Sequence, residues 1–324
     1  MLNINELLNF VNAELKEISF DQEPVKLYEP IKYSLDMGGK RIRPILCLMA
    51  TQLFNGDVKN SLPPALALEV FHNFTLLHDD IMDNADVRRN QPAVHKKWNA
   101  NTAILSGDAM LIKAYQFLSD CEDSVLPEIF ALFNELAIGV CEGQQYDMDF
   151  EIRRDVTTNE YLEMIRLKTA ILLAGSLKVG AILANAPKED ANNIYNFGLN
   201  IGLAFQLQDD YLDCFGDIKT FGKKIGGDII ANKKTFLLLS AWAKADKDET
   251  QELNKWISAE EFDADKKITA VKNLYTKLKV DELSKQKMEE YYSKAMDSLS
   301  NIDIHNNAKQ ELISFAKNLM HRSN

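Results

Sequence analysis

Two short acidic clusters set in apolar sequence constrain this 324-residue chain more than any other feature. The first lies in LLHDDIMDNADVRR, from Leu76 to Arg89, and carries Asp79, Asp80 and Asp83. The second lies in FQLQDDYLDCFGD, from Phe205 to Asp217, and carries Asp209, Asp210 and Asp213 at the same internal spacing. Successive helix residues turn by about 100°, so each set puts three carboxylates on one narrow arc. Like charges this close raise one another's pKa values. Leu76, Leu77, Ile81 and Met82 bracket the first set; Phe205, Leu207, Tyr211 and Leu212 bracket the second. Unpaired charge beside so much apolar surface is costly, so cations belong among these oxygens. Clustered Asp oxygens suit Mg²⁺, which takes few protein ligands and keeps positions for water and phosphate oxygens. Two such faces across a cavity would hold a group of Mg²⁺ ions with a polyphosphate between them. A solvated helix face is the alternative for either set alone, and its repetition in apolar context argues against it.

The rest of the chain reads as helix. Apolar residues recur at three and four almost throughout, with no long alternating pattern, and proline is rare at 8 residues. The expected helices cover 4–18, 25–37, 44–54, 65–82, 100–118, 124–150, 158–184, 194–215 and 236–244. Beyond them, 266–296 and 306–320 resemble a solvated outer wall over 266–320. Residues 84–97 are expected to be irregular, and the polar stretch 245–265 to be a surface connection with room for a short helix. The fold class is therefore all-α, with no clean domain boundary and no short repeat.

Other bounds narrow the chemistry. No run of 18 apolar residues exists, so no membrane span is expected. The N-terminus has neither a basic-then-apolar pattern nor Arg enrichment, against a signal or transit peptide. Cys47, Cys121, Cys141 and Cys214 are scattered, which fits a reducing cytoplasm better than a disulfide framework or a zinc site. The net charge of −11 disfavours nucleic acid and anionic membranes as partners.

The basic residues are concentrated locally. Lys40, Arg41 and Arg43 follow Gly38-Gly39; Arg88 and Arg89 follow the first acidic set; Lys168 precedes Thr169; Lys223, Lys224, Lys233 and Lys234 follow the second set. Arg suits bidentate phosphate contact and Lys point-charge contact, and the double glycine could turn tightly and offer N–H groups to an anion. Solvated surface charge is the alternative, strongest for Lys224 and Lys234. Neither glycine region fits a P-loop or a dinucleotide fingerprint. His78 adjoins Asp79 but reads best as a locally bonded helix residue. Together these features describe a helical protein whose cavity binds Mg²⁺ and phosphate and is lined by apolar groups. Substrates with a diphosphate head and a hydrocarbon tail match it.

The sequence resembles the trans-isoprenyl diphosphate synthases, or polyprenyl synthetases. GGKRIRP, HNFTLLHDDIMDNADVRR, GDAM, EGQQYDM, the Lys168-Thr169 pair, FQLQDDYLDCFGD and FGKKIGGDI occur in family order between about residues 30 and 240. The resemblance implies the isoprenoid synthase fold: one domain over 1–324, a helical bundle around a deep central cavity, normally as a homodimer. It implies that Asp79, Asp80, Asp83, Asp209 and Asp210, with Asp213 nearby, hold about three Mg²⁺ ions. Arg88, Lys168, Lys223 and Lys233 would contact the allylic diphosphate; Lys40, Arg43, His72 and Arg89 would bind isopentenyl diphosphate. Thr169 and Gln206 would face the allylic carbon. The chemistry implied is a head-to-tail (1'-4) condensation. One departure stands out: Asn232 replaces the usual glycine before Lys233 and Thr235.

Phe74 lies five residues before Asp79 and is the expected floor of the tail pocket, with small Thr75 beside it and Phe71 one turn deeper. By resemblance, a single aromatic there favours a C20 product, with C15 as the alternative. Ordinary core packing is the other reading of these rings. A terpene cyclase would use a mixed Asn/Ser/Glu second motif and would not need the second diphosphate set. A non-catalytic subunit of a heteromeric synthase would be expected to lose an aspartate motif, and both are present here.

Overall fold

The computed structural model describes residues 2–216 and 225–320. Lys223, Lys224 and Asp217 lie outside the described residues. Within them the all-α expectation holds, except for a two-residue antiparallel pairing of Val87–Arg88 with Gln91–Pro92. That pairing and the short helix Val94–Lys97 fall in the stretch expected to be irregular. Contacts group the chain into two compact units.

The first unit comprises Met1–Asn134, Gly175–Tyr195 and Asp303–Glu311. Its central helix is Leu62–Met82, which packs on Ile42–Leu53 and most extensively on Ala100–Leu118. Pro63 and Pro64 occupy its first turn, where a missing N–H costs nothing. From Pro64 to Phe71 every side chain is buried, so the helix is apolar nearly all round and belongs in a core. One buried acid, Glu69, is paid for by Arg41: the guanidinium Nη1 donates to its carboxylate at 2.6 Å. Arg41 also donates to Asn12 at 3.2 Å and to the Leu35 carbonyl at 2.6 Å. Arg41, read from sequence as part of a basic patch, is thus a buried structural cation. Its left-handed backbone, φ +48, starts the Ile42–Leu53 helix two residues before Pro44.

The second unit comprises Glu135–Ala174, Asn196–Ile302 and Leu312–Asn324. One apolar cluster gathers Tyr161, Met164, Leu207, Phe236 and Met288; another gathers Cys214, Leu237, Leu238, Val271 and Tyr275. Three expectations need correction here. The 158–184 helix is Thr158–Ile165 and Ile171–Leu183 joined by a π-helical turn, Arg166–Ala170. The 245–265 stretch contains a full helix, Lys247–Ile257, started by a reciprocal cap between Asp246 and Glu249. The 266–296 helix is two, Ala264–Lys277 and Val280–Ser300, broken at Lys279 with φ +55. These last helices are more than an outer wall, since Val271, Leu274, Tyr275 and Val280 are core residues.

Candidate active site

In the first unit, Asp79 and Asp80 fall in the last turn of Leu62–Met82 and Asp83 caps it. A helix C-terminus favours cations, and one is supplied by Arg88. Its Nε donates to Asp80 Oδ1 at 2.9 Å, and its Nη2 donates to the same oxygen and to Asp79 Oδ2 at 3.4 Å. Burial pulls the Arg88 pKa down, but the bond and charge of Asp80, with Asp79 and Asp83, outweigh it and raise it. Arg88 reaches these acids from the small hairpin. Arg89 and Asn90, with φ +51 and +61, form its turn. Arg89, in the left-handed turn, donates instead to the Gly38 carbonyl.

Gly39 explains why two glycines stand together. A Cβ there would lie 2.8 Å from the Arg89 guanidinium, and its φ is +143. Arg89 therefore fills the space that a side chain at 39 would take. Around it stands a cluster of cations. Arg43 keeps a buried Nε with no hydrogen-bond partner. Burial first, and the Arg89 charge next against the opposing Glu69, lower its pKa to about 10. Burial and then Arg43, Arg89, Arg88 and Arg41 hold the His72 imidazole well below its ordinary pKa, so it is neutral near pH 7. The neutral His72 ring thus lies in the field of several guanidiniums, and Arg43 keeps a buried donor that no protein group uses. Lys40, of the same predicted set, is exposed.

The predicted floor residues form an aromatic column. The Phe74 ring lies 4.7 Å from His78 and 5.6 Å from Phe71; Phe71 lies 5.1 Å from Phe133, which lies 5.1 Å from Tyr115. Thr75 Oγ1 donates to the His72 carbonyl at 2.8 Å. His78 Nε2 is 3.2 Å from the Ile104 carbonyl, and a Cβ at Gly107 would come within 2.3 Å of it. The glycine of GDAM is thus a slot for His78, whose partner is not local as expected but a carbonyl of the neighbouring Ala100–Leu118 helix.

In the second unit the π-helical turn carries Lys168 and Thr169. Lys168 Nζ donates to Asp147 at 2.7 Å. Thr169 Oγ1 donates to Gln206 Oε1 at 3.3 Å, and Gln206 Nε2 donates to Asp210 Oδ1 at 3.1 Å. The buried Tyr161 hydroxyl donates to the other Asp210 oxygen. Burial foremost, then the Asp228 charge, raises the Asp210 pKa to about 7, against the opposing effects of Lys233, Tyr161 and Gln206. Asp213 ties the following turn: its carboxylate accepts the Asp228 N–H at 2.9 Å and its carbonyl accepts the Gly226 N–H at 2.7 Å. The two lysines at 233 and 234 divide. Lys233 charge acts on Asp210, whereas Lys234 Nζ donates to the Glu151 carbonyl at 3.0 Å.

Each unit therefore brings together one DDxxD set and its basic neighbours. Sequence reasoning assigned no role to four acids or hydroxyls that complete them: Glu69, Asp147, Tyr161 and Asp228. None carries a spacing signal, because each acts across helices. Among the described residues no three His, Cys, Asp or Glu side chains converge on one metal position. The donor set is nonetheless hard carboxylate oxygen, and Mg²⁺ asks for only one or two such ligands beside water and phosphate. The residues present fit that ion.

Comparison with known proteins agrees with this architecture. The polyprenyl synthetase family profile matches residues 24–275. A geranylgeranyl diphosphate synthase from Methanosarcina mazei is 39% identical over 249 residues, covering 75% of this chain and 77% of its own. A geranylfarnesyl diphosphate synthase from Natronomonas pharaonis is 40% identical over 257 residues, covering 74% of this chain and 75% of its own. A crystal structure of a geranylgeranyl pyrophosphate synthase superposes with a TM-score of 0.94 at 43% identity, covering 100% of both chains. The chain belongs to the polyprenyl synthetase family.

Proposed function

We propose that this prenyltransferase condenses isopentenyl diphosphate with allylic diphosphates, head to tail, to give geranylgeranyl diphosphate (C20). The observation that carries the reading is the pairing of each carboxylate set with phosphate-type cations, Arg88 on Asp79 and Asp80 and Lys233 beside Asp210. Asp79, Asp80, Asp83, Asp209 and Asp210, with Asp213 close by, would hold about three Mg²⁺ ions, the number expected of this family's chemistry. When bound, Mg²⁺ supplies Lewis-acid neutralisation of diphosphate charge.

The chain's own groups do the rest. Arg88, Lys168, Lys223 and Lys233 bind and orient the allylic diphosphate. Lys40, Arg43, His72 and Arg89 bind the isopentenyl diphosphate. Arg43 offers that anion an Nε with no protein partner, and His72 offers a neutral ring. The allylic C–O bond breaks with its electron pair on the departing diphosphate. The isopentenyl double bond attacks the allylic carbon, and a proton leaves to that same diphosphate. The Thr169 and Gln206 oxygens steady the positive charge that develops on carbon. Apolar walls keep water from the cation. Phe74, with Thr75 and Phe71, limits the growing tail. The whole chain acts as one polyprenyl synthetase domain, in the cytoplasm, as a homodimer.

Replacing Asp79 by Ala tests the reading. Turnover should fall by about 10³-fold or more, the scale seen when charge stabilisation is removed from a transition state, with an unchanged circular dichroism spectrum and melting midpoint. Near-normal turnover in that variant would sink the metal assignment. C15 is the product in a second reading, favoured if Phe71, packed on Phe133, closes the pocket first.

A further inference from the structure

Lys267 is a fully buried cation that no motif accounts for. It lies in Ala264–Lys277, a helix that the sequence suggested carries only surface charge. Its relative exposure is 0%, and burial lowers its pKa. A buried ammonium must spend its three donors on something. Its Nζ donates to Asn232 Oδ1 at 2.7 Å and to the Ile230 carbonyl at 3.4 Å, and it stands 4.1 Å from the centre of the Phe262 ring.

Asn232 directly precedes Lys233 in the turn. Its φ is +53, a left-handed backbone that glycine adopts freely and Asn better than most residues. The side chain that glycine lacks is used at both ends here. Nδ2 donates to the Ile257 carbonyl at 3.0 Å while Oδ1 accepts from Lys267. The next residue is Lys233. Its N–H donates to the Asp228 carbonyl at 2.9 Å, and its charge acts on Asp210. Asp210, Asp228, Asn232, Lys233 and Lys267 all line one small cavity.

We propose that Lys267 and Asn232 form a clamp that fixes Lys233 at its diphosphate-binding position. Lys267 is a positioning residue in this arrangement, and Lys233 is the group that meets the anion. The diphosphate part of the proposal rests on the function given above. The clamp itself rests only on contacts of this turn. Its consequence is that glycine at 232 is not equivalent to asparagine in this chain. Glycine would suit the backbone but remove the Asn232 side chain that bonds both the Lys267 ammonium and the Ile257 carbonyl.

Two measurements on the full-length protein test it. The first is amide hydrogen exchange across 231–235 in Lys267→Met and Asn232→Gly. Met keeps the volume of the buried stem and removes the charge, so the fold has a packing substitute. Exchange in that segment should quicken about tenfold in both variants, while the Phe236–Lys244 helix beyond it is unchanged. Lys267→Arg should retain most of the protection. Unchanged exchange in Lys267→Met, or equal quickening throughout the second unit, overturns the clamp. The second is calorimetric binding of inorganic pyrophosphate with Mg²⁺. Lys267→Met should weaken binding about fivefold to tenfold in the wild-type background and not at all in a Lys233→Ala background. Equal losses in both backgrounds overturn the assignment of Lys267 to Lys233. If Lys233→Ala alone binds pyrophosphate as the wild type does, the role of Lys233 fails. The exchange result then decides the clamp independently.

Discussion

The division of labour between Arg88 and Arg89 comes from one turn. Two adjacent guanidiniums take different acceptors: Arg88 the carboxylates of the first acidic set, Arg89 the Gly38 carbonyl. His72 lies among these cations and pays for it in basicity. The sign of the effect on stability follows from linkage. Its folded pKa is lowered below the unfolded value of about 6.5, so the unfolded chain binds the extra proton first. Stability is intact above about pH 6.5 and falls as pH drops below it, by up to about 1.4 kcal/mol per pH unit from this group. Urea unfolding at pH 7.5 and pH 5.5 should therefore show a smaller loss in His72→Gln than in wild type. Equal losses would mean that His72 protonates freely in the folded chain. Much of this was readable beforehand: the Arg pair, His72 and both aspartate sets stand in the sequence with their spacing. Arg41 was misread because charge next to glycine resembles a surface patch. Nothing local announces that Glu69, 28 positions later, comes to meet it.

Among the elements, the π-helical turn at Arg166–Ala170 matters most to the second unit's candidate residues. One extra residue in the turn re-aims side chains relative to a regular helix, and it sets Lys168 toward Asp147 and Thr169 toward Gln206. Two glycines on neighbouring helices let the widened backbone approach. A Cβ at Gly143 would lie 2.3 Å from the Lys168 nitrogen, and one at Gly202 would lie 2.7 Å from the Ala170 Cα. Both obstacles are backbone, which has no rotamer to yield. Gly143→Ala should lower stability by about 1–3 kcal/mol and reduce kcat more than a surface Gly→Ala of equal helix propensity. Thermal melts with steady-state kinetics check this, and an unperturbed enzyme would show that the turn yields easily. Periodicity revealed that residues 158–184 are helical, but an i to i+5 turn leaves no trace in a pattern of apolar spacing. The Lys247–Ile257 helix was hidden for another reason. Its polar composition masked a capping box, Asp246 with Glu249, that was present in the letters. The 266–296 run concealed the break at Lys279 because the apolar period resumes at once on the far side.

At the scale of the whole molecule, two features await a partner or a substrate. On Ala100–Leu118, the side chains of Ile104, Leu105 and Ile112 are 44%, 60% and 61% exposed on one face. This is costly for a lone helix and supports the proposed homodimer. Leu105→Asp with Ile112→Asp should yield a monomer by sedimentation velocity, whereas an unchanged species would place the interface elsewhere. The other feature is the aromatic column that runs from His78 and Phe74 through Phe71 to Phe133 and Tyr115, proposed above to limit product length. The most direct test is a product assay. Purified protein, Mg²⁺ and isopentenyl diphosphate are combined with dimethylallyl, geranyl or farnesyl diphosphate, and chain length is read by mass spectrometry for wild type and Phe74→Ala. A C20 product is expected from all three starters, with farnesyl diphosphate consumed and longer products from Phe74→Ala. Inert farnesyl diphosphate with a stop at C15 would contradict the C20 assignment, and no elongation from any starter would contradict the proposed function itself.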